Sequence, residues 1–282
     1  MREIFRRLSP AAPYFPDQLV SIQSGPDSMI RHVWQTAAVC LVKDTPRQLR
    51  ILEIGSWAGH STLTWAEAIG KFERTGSILC VDPWGRYLAA GDVKGGGAYQ
   101  AMDAATDLDL IYTLFLHNIG FADPAARVDH IRGRFDDVAL YLGEGQFDIV
   151  YIDGSHYYAD VLADLVEGKR LVAEGGLLCG DDLEQQISEV DEAFLRANID
   201  RDAVVDPRNR KPYPPGGTLA VSEVLGPVSS YTGFWAMRRQ GDGFVSVDLA
   251  GASPFLPGHF SDEYRKTVLE WAKTSGFFQK QS

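Results

Sequence analysis

Asp153 closes the apolar run FDIVYID, and Asp181 and Asp182 close GGLLCGDD 28 residues further on. Neighbouring parallel strands lie about 4.8 Å apart, so if the two runs are such strands their terminal carboxylates converge. Carboxylates that close together repel one another unless a cation sits among them. Hard oxygen donors favour Mg²⁺, with Mn²⁺ or Ca²⁺ as alternatives, and a divalent metal is therefore expected on Asp153, Asp181 and Asp182. An isolated Asp-Asp pair also serves as a helix cap or a solvated turn; the placement after two strands is what points to a metal. His156, three residues beyond Asp153, carries an imidazole whose ordinary pKa of about 6.5 lets it accept a hydroxyl proton near neutrality. His156 and Asp153 are the two candidates for a catalytic base.

Three further places follow apolar runs, where ligands of open α/β sheets are bound. The first is Glu53-Ile54-Gly55-Ser56-Trp57-Ala58-Gly59-His60-Ser61-Thr62. Gly55 and Gly59 permit a tight turn close to a ligand, and the helix start at Ser61 and Thr62 offers free N–H groups. Trp57 stands where a dinucleotide fingerprint requires its middle glycine, which argues against NAD and an NAD-linked oxidoreductase. The second is Asp82, 29 residues after Glu53, whose carboxylate can accept from both hydroxyls of a ribose; with Pro83 next, it is also a candidate helix cap. The third is Gly133-Arg134-Phe135-Asp136.

The pattern E-x-G-x-x-x-G at Glu53 resembles motif I of class I S-adenosylmethionine-dependent methyltransferases. D-G-S-H followed by a helix and G-G-L-L-x-x-D-D resembles a metal-dependent branch of that family, the macrocin-type sugar O-methyltransferases, and more distantly the catechol O-methyltransferases. The similarity spans roughly residues 50 to 190. It implies that the Glu53–Thr62 turn faces the methionine part of the cofactor, that Asp82 holds its ribose, that Gly133, Arg134, Phe135 and Asp136 flank its adenine, and that Asp153 borders both cofactor and metal. Catechol enzymes have Asn where this chain has Asp182, as the macrocin type does, and a lysine base where it has His156, a departure that leaves the base open between His156 and Asp153. The implied activity is metal-dependent methyl transfer to a hydroxyl of a sugar or glycosylated natural product, with a phenol as the alternative acceptor and a non-catalytic binding module as the remaining one.

These residues need a scaffold. Strands are expected at 49–54, 77–84, 128–135, 147–154 and 175–182, alternating with helices, and 233–249 reads as two strands around Gly-Asp-Gly. That pattern predicts an α/β fold, a doubly wound, mostly parallel Rossmann-like sheet with a C-terminal antiparallel hairpin edge. One domain is expected over 1–282, with an N-terminal cap region at 1–45 whose helix covers 28–43, a helix at 184–198, a loop at 206–217 and a closing helix at 261–274. The segments 86–118, with its glycines 95–97, and 200–232 are expected lids. Tyr87, Tyr99, Tyr157, Tyr213 and Trp235 are candidates to stack on an acceptor.

With 27 Lys and Arg against 38 Asp and Glu, the net charge of -11 disfavours nucleic acid or an anionic membrane as partner. A small hydroxylated molecule fits better. Cys40, Cys80 and Cys179 lie in apolar segments without zinc-site spacing and read as reduced core residues. The N-terminus has no continuous apolar stretch and no run reaches about 20 apolar residues, so a soluble cytoplasmic protein is expected. A homo-oligomer is compatible with the cap helix, by analogy with relatives.

Overall fold

Alternation of side chains about a strand decides which apolar residue faces which helix layer. In the computed structural model, which describes residues 8–9, 11–15, 26–93 and 97–274, the strands β1 (Leu49–Ile54), β2 (Gly76–Asp82), β3 (Ala126–Arg132), β4 (Phe147–Ile152) and β5 (Val172–Leu183) are parallel and stand in the order β3-β2-β1-β4-β5. Ile51, Ile149 and Leu177 point into one core, and Leu52, Val150 and Leu178 into the other. Both faces are buried, which is why these strands read as continuous apolar runs.

The first core is covered by α1 (Pro26–Val42), α2 (His60–Lys71) and α5 (Leu110–Ile119), which follows the single-turn α3 (Ala90–Val93) and then α4 (Gly97–Thr106). The second is covered by α6 (Phe135–Ala139), α7 (Tyr158–Leu171) and α9 (Pro215–Leu225), with α8 (Glu192–Arg196) preceding α9. Beyond β5 the sheet turns antiparallel through β9 (Gly233–Gln240), whose outer edge is shared by β8 (Ser229–Tyr231) and β10 (Gly243–Ser246). Two short strands, β6 (Val204–Val205) and β7 (Pro212–Tyr213), form a separate ribbon, and α10 (Asp262–Thr274) closes the described chain. The doubly wound sheet with an antiparallel edge is thus present as expected, with Gly241 and Asp242 turning the hairpin between Gln240 and Gly243.

Two elements differ from expectation. The helix anticipated over 184–198 is split: Gln186 and Glu189 close a capping box around a single turn, and Asp191 then caps a new short helix by accepting from Phe194 N. The stretch expected as loop at 206–217 contains β7 and the start of α9, because Pro215 occupies the first helical turn, where a missing N–H costs nothing. Of the glycines 95–97, the first two lie outside the described residues. All three cysteines are buried free thiols. Among the described residues, no helix is long and apolar enough to cross a membrane.

Strand order reverses between β1, which leads outward to β2 and β3, and β4, which leads the other way to β5. A crevice opens at the carboxyl ends of the strands at such a switch point. Ile54 is paired with Val81 and Ile152, and Ile152 with Gly180, so the residues next in sequence share one rim.

Candidate active site

Gly55 has φ of 83°, and a Cβ there would stand 2.0 Å from the Asp153 carbonyl oxygen. Only glycine lets the β1 turn abut the end of β4 in this way. The turn is then tied to β2: Ser56 N and Trp57 N each donate to Asp82 Oδ2 at 2.9 Å, and Trp84 N donates to Oδ1 at 2.5 Å. Burial raises the Asp82 carboxyl above its ordinary range against these donors. Behind the turn, Glu53 is fully buried and accepts from Ser56 Oγ at 2.8 Å and from Thr62 Oγ1.

The crevice encloses about 310 Å³, and its wall can be followed along the sheet. Arg134, Phe135 and Asp136 stand beyond β3, Asp82 and Pro83 beyond β2, Gly55 and Ser61 beyond β1, Asp153 to His156 beyond β4, and Asp181 and Asp182 at the end of β5. Helix α1 adds Arg31, His32 and Gln35 from above, and α7 adds Asp160, Ala163 and Asp164.

At the β5 end, one oxygen from each of Asp153, Asp181 and Asp182 lies within 4.8 Å of the others. Two cations of the chain already share these acids. Arg31, 5% exposed, donates from one nitrogen to Asp181 Oδ1 and Asp182 Oδ1 at 2.8 Å each, from the other to Glu184 Oε1 at 2.5 Å, and from Nε to Thr232 O at 2.8 Å. The seat is shaped by the β8–β9 turn, where Gly233, φ 93°, leaves no Cβ to meet a guanidinium only 2.5 Å away. His156 Nε2 lies 2.8 Å from Asp182 Oδ2, and its Nδ1 lies 2.9 Å from Asp202 Oδ1, off the line of a hydrogen bond.

Burial opposes charge on His156, yet Asp182 and Asp202 outweigh it and hold the imidazole protonated well above its ordinary range. Asp153 has no cationic partner of this quality; burial, then Asp181 and Asp182, push its carboxyl well up, against a hydrogen bond of 3.1 Å from Tyr151 Oη.

At the β3 end, Arg134 pairs with Asp136 at 3.1 Å and reaches Asp160 at 3.4 Å, with all three side chains more than a third exposed. Ser155, whose purpose the sequence leaves open, donates from Oγ to Asp160 Oδ2 at 2.8 Å and accepts from Tyr157 N.

The structure therefore brings Gly55, Ser61, Asp82, Arg134, Phe135, Asp136, Asp153, His156, Asp181 and Asp182 to one crevice. Glu53, Gly59, Thr62 and Gly133 are not on its wall; Glu53 and Thr62 brace the turn from behind. Of the aromatic candidates Tyr87 reaches the wall, whereas Tyr213 and Trp235 are 1% and 2% exposed and packed in the cores. Sequence reasoning missed Arg31, Asp164 and Asp202. Arg31 shares a helical face with Trp34 and Gln35, buried with it, and a charge on a buried stripe is the signal that would have marked it.

Residues 52–183 match a family described as a methyltransferase domain, which bears out the expected class of enzyme. No curated protein matches the chain. Among solved structures, a TDP-rhamnose 3'-O-methyltransferase of calicheamicin biosynthesis is 17% identical with a TM-score of 0.42 over 84% of this chain and 93% of the other. A Corynebacterium glutamicum protein is 16% identical with a TM-score of 0.44 over 83% and 95%. An O-methyltransferase family protein from Burkholderia thailandensis is 14% identical with a TM-score of 0.39 over 78% and 58%. Likeness at this level carries nothing about substrate or metal.

Proposed function

We propose that the crevice binds S-adenosylmethionine and that the chain transfers its methyl group to a hydroxyl of a small acceptor, with a divalent cation at the acid cluster. The observation that carries this reading is the order of groups along one crevice: an acid at the end of β2, a glycine turn at the centre and three convergent carboxylates at the β5 end. Two turn N–H groups hold Asp82 in place through Oδ2, and Oδ1, which accepts only from Trp84 N, keeps a lone pair for a ribose hydroxyl. Trp57 fills the space that a dinucleotide pyrophosphate would need.

Three carboxylate oxygens within 4.8 Å suit Mg²⁺ or Mn²⁺, and Asp153, Asp181 and Asp182 would hold it. Such an ion supplies Lewis-acid polarisation of an acceptor hydroxyl. Arg31 takes up Asp181 Oδ1 and Asp182 Oδ1, which fixes the acid pair and lowers its mutual repulsion. With a carboxylate close to each ring nitrogen, His156 has no lone pair directed at an acceptor, so it positions Asp182 and the proton passes to Asp153. Of the expected lid segments, α5, α9 and β8 are built into the cores and the sheet, which leaves the stretches around Asp92 and Arg201 to cover the crevice: Arg201 pairs with Asp92 at 3.0 Å, and Asp202 meets His156. The DGSH and Asp181-Asp182 resemblance points to a sugar or glycosylated natural product as acceptor, with a phenol second.

The test is mass spectrometry of glycosylated and phenolic acceptors incubated with S-adenosylmethionine, with Mg²⁺ and with chelator. Methylated product lost on chelation supports the reading, product unaffected by chelator removes the cation, and stabilisation by NAD without S-adenosylhomocysteine removes the cofactor.

A further inference from the structure

Asp164 sits on the wall of the crevice at the β3 end, on the face of α7 that also carries the buried Val161, Leu165 and Gly168. It is 9% exposed. Among the described residues its carboxyl makes no hydrogen bond and no ion pair, in contrast to Asp136 and Asp160 beside it, which share Arg134. Its Oδ2 lies 3.6 Å from the position a Cβ on Gly154 would take, so glycine keeps open the space in front of the carboxyl. Burial first, and then the charges of Asp160 and Asp136, push it up to about 8 against the weaker pull of Arg134. A carboxyl that faces the crevice without a partner from the chain must be satisfied by whatever ligand displaces solvent from it.

The reading of the crevice as an S-adenosylmethionine site, on which this inference rests, says what that ligand group is. With the ribose at Asp82 and the sulfonium toward Asp153, the nucleobase falls in the remaining lobe, bounded by Phe135, Ala163 and Asp164. Phe135 offers an apolar wall, and the exocyclic amino group is the donor that an adenine edge presents. We infer that Asp164 is a specificity-determining residue of the nucleobase site, accepting a hydrogen bond from the 6-amino group of adenine. Asp136, exposed and paired with Arg134, serves the rim.

The test is a cycle between residue and ligand, measured by calorimetry. S-adenosylhomocysteine and its analogue lacking the 6-amino group are titrated into the wild-type chain and into Asp164→Leu and Asp164→Asn. Deleting the amine weakens binding to wild type about tenfold and leaves binding to Asp164→Leu unchanged. Asp164→Asn, whose amide oxygen still accepts, keeps most of the discrimination and shows that the site folds. An equal loss on amine deletion in wild type and Asp164→Leu overturns the inference while leaving the cofactor assignment standing. Absence of S-adenosylhomocysteine binding to wild type overturns both.

Discussion

The two ends of the crevice collect the same residue type and treat it differently. At the β5 end Asp181, Asp182, Glu184 and Asp202 are partly offset by two cations, the buried Arg31 and the half-buried His156, at distances of 2.5 to 2.9 Å. At the β3 end Asp136 and Asp160 share one solvent-facing arginine, and Asp164 behind them has no partner among the described residues. At the β5 end the two cations hold Asp182 and Asp202 ionised, their carboxyls below the ordinary range, whereas burial pushes Asp181 up to about 7. Where a nucleoside is to be recognised, a carboxyl is left unsatisfied so that the ligand completes it. Within the β5 cluster the same contrast recurs, because among the described residues Asp153 makes no ion pair while Asp181 and Asp182 do.

The largest effect that would break this comparison is expected at Arg31. Arg31→Met removes a buried guanidinium from the half-buried Asp181 and Asp182 and from the exposed Glu184, and should cost about 3 kcal/mol in urea unfolding. Mn²⁺ should recover part of that loss in the variant and do much less for wild type. Next comes Asp153→Asn, which should lower turnover by at least about hundredfold while leaving the melting temperature within a few degrees, since no cation loses its partner. A drop in stability as large as that of Arg31→Met would contradict the division of labour inside the cluster.

Asp164 gives a pH signature. Its carboxyl titrates near 8 in the folded chain against an ordinary value of 3.8, with Asp160, Asp136 and Arg134 facing it. Between those values the folded state holds the extra proton, so this group's contribution to stability falls as pH rises through the window and levels off above it. Thermal melts should show Asp164→Asn gaining on wild type from pH 4 to pH 8, and a constant gap would mean that Asp164 is ionised throughout. The smallest effect is expected at Asp136→Asn, which breaks an exposed pair and should change stability by less than about 1 kcal/mol.

These residues differ in how far the sequence announces them. The acids that close β4 and β5 are legible because strand ends in an α/β sheet are where ligands bind, and the glycine turn and Asp82 follow the same rule. Arg31 is not legible from spacing, because its partners lie 150 to 153 positions away and only the fold of α1 over the rim joins them. His156 is visible as a polar residue near Asp153, but its capture by Asp182 and Asp202 depends on how the segment after α8 folds back. Asp164 does leave a trace: Val161, Leu165 and Gly168 form a helical stripe, and position 164 falls on it. Helix α9 was hidden because two prolines and two glycines read as loop until Pro215 is recognised as a helix start.

The most direct test of the account is the crystal structure of the chain with S-adenosylhomocysteine. The account predicts the ribose hydroxyls on Asp82, the sulfur on the Asp153 side and the adenine against Phe135 with its amino group on Asp164. A nucleoside lying the other way along the crevice, or bound outside it, would contradict the account.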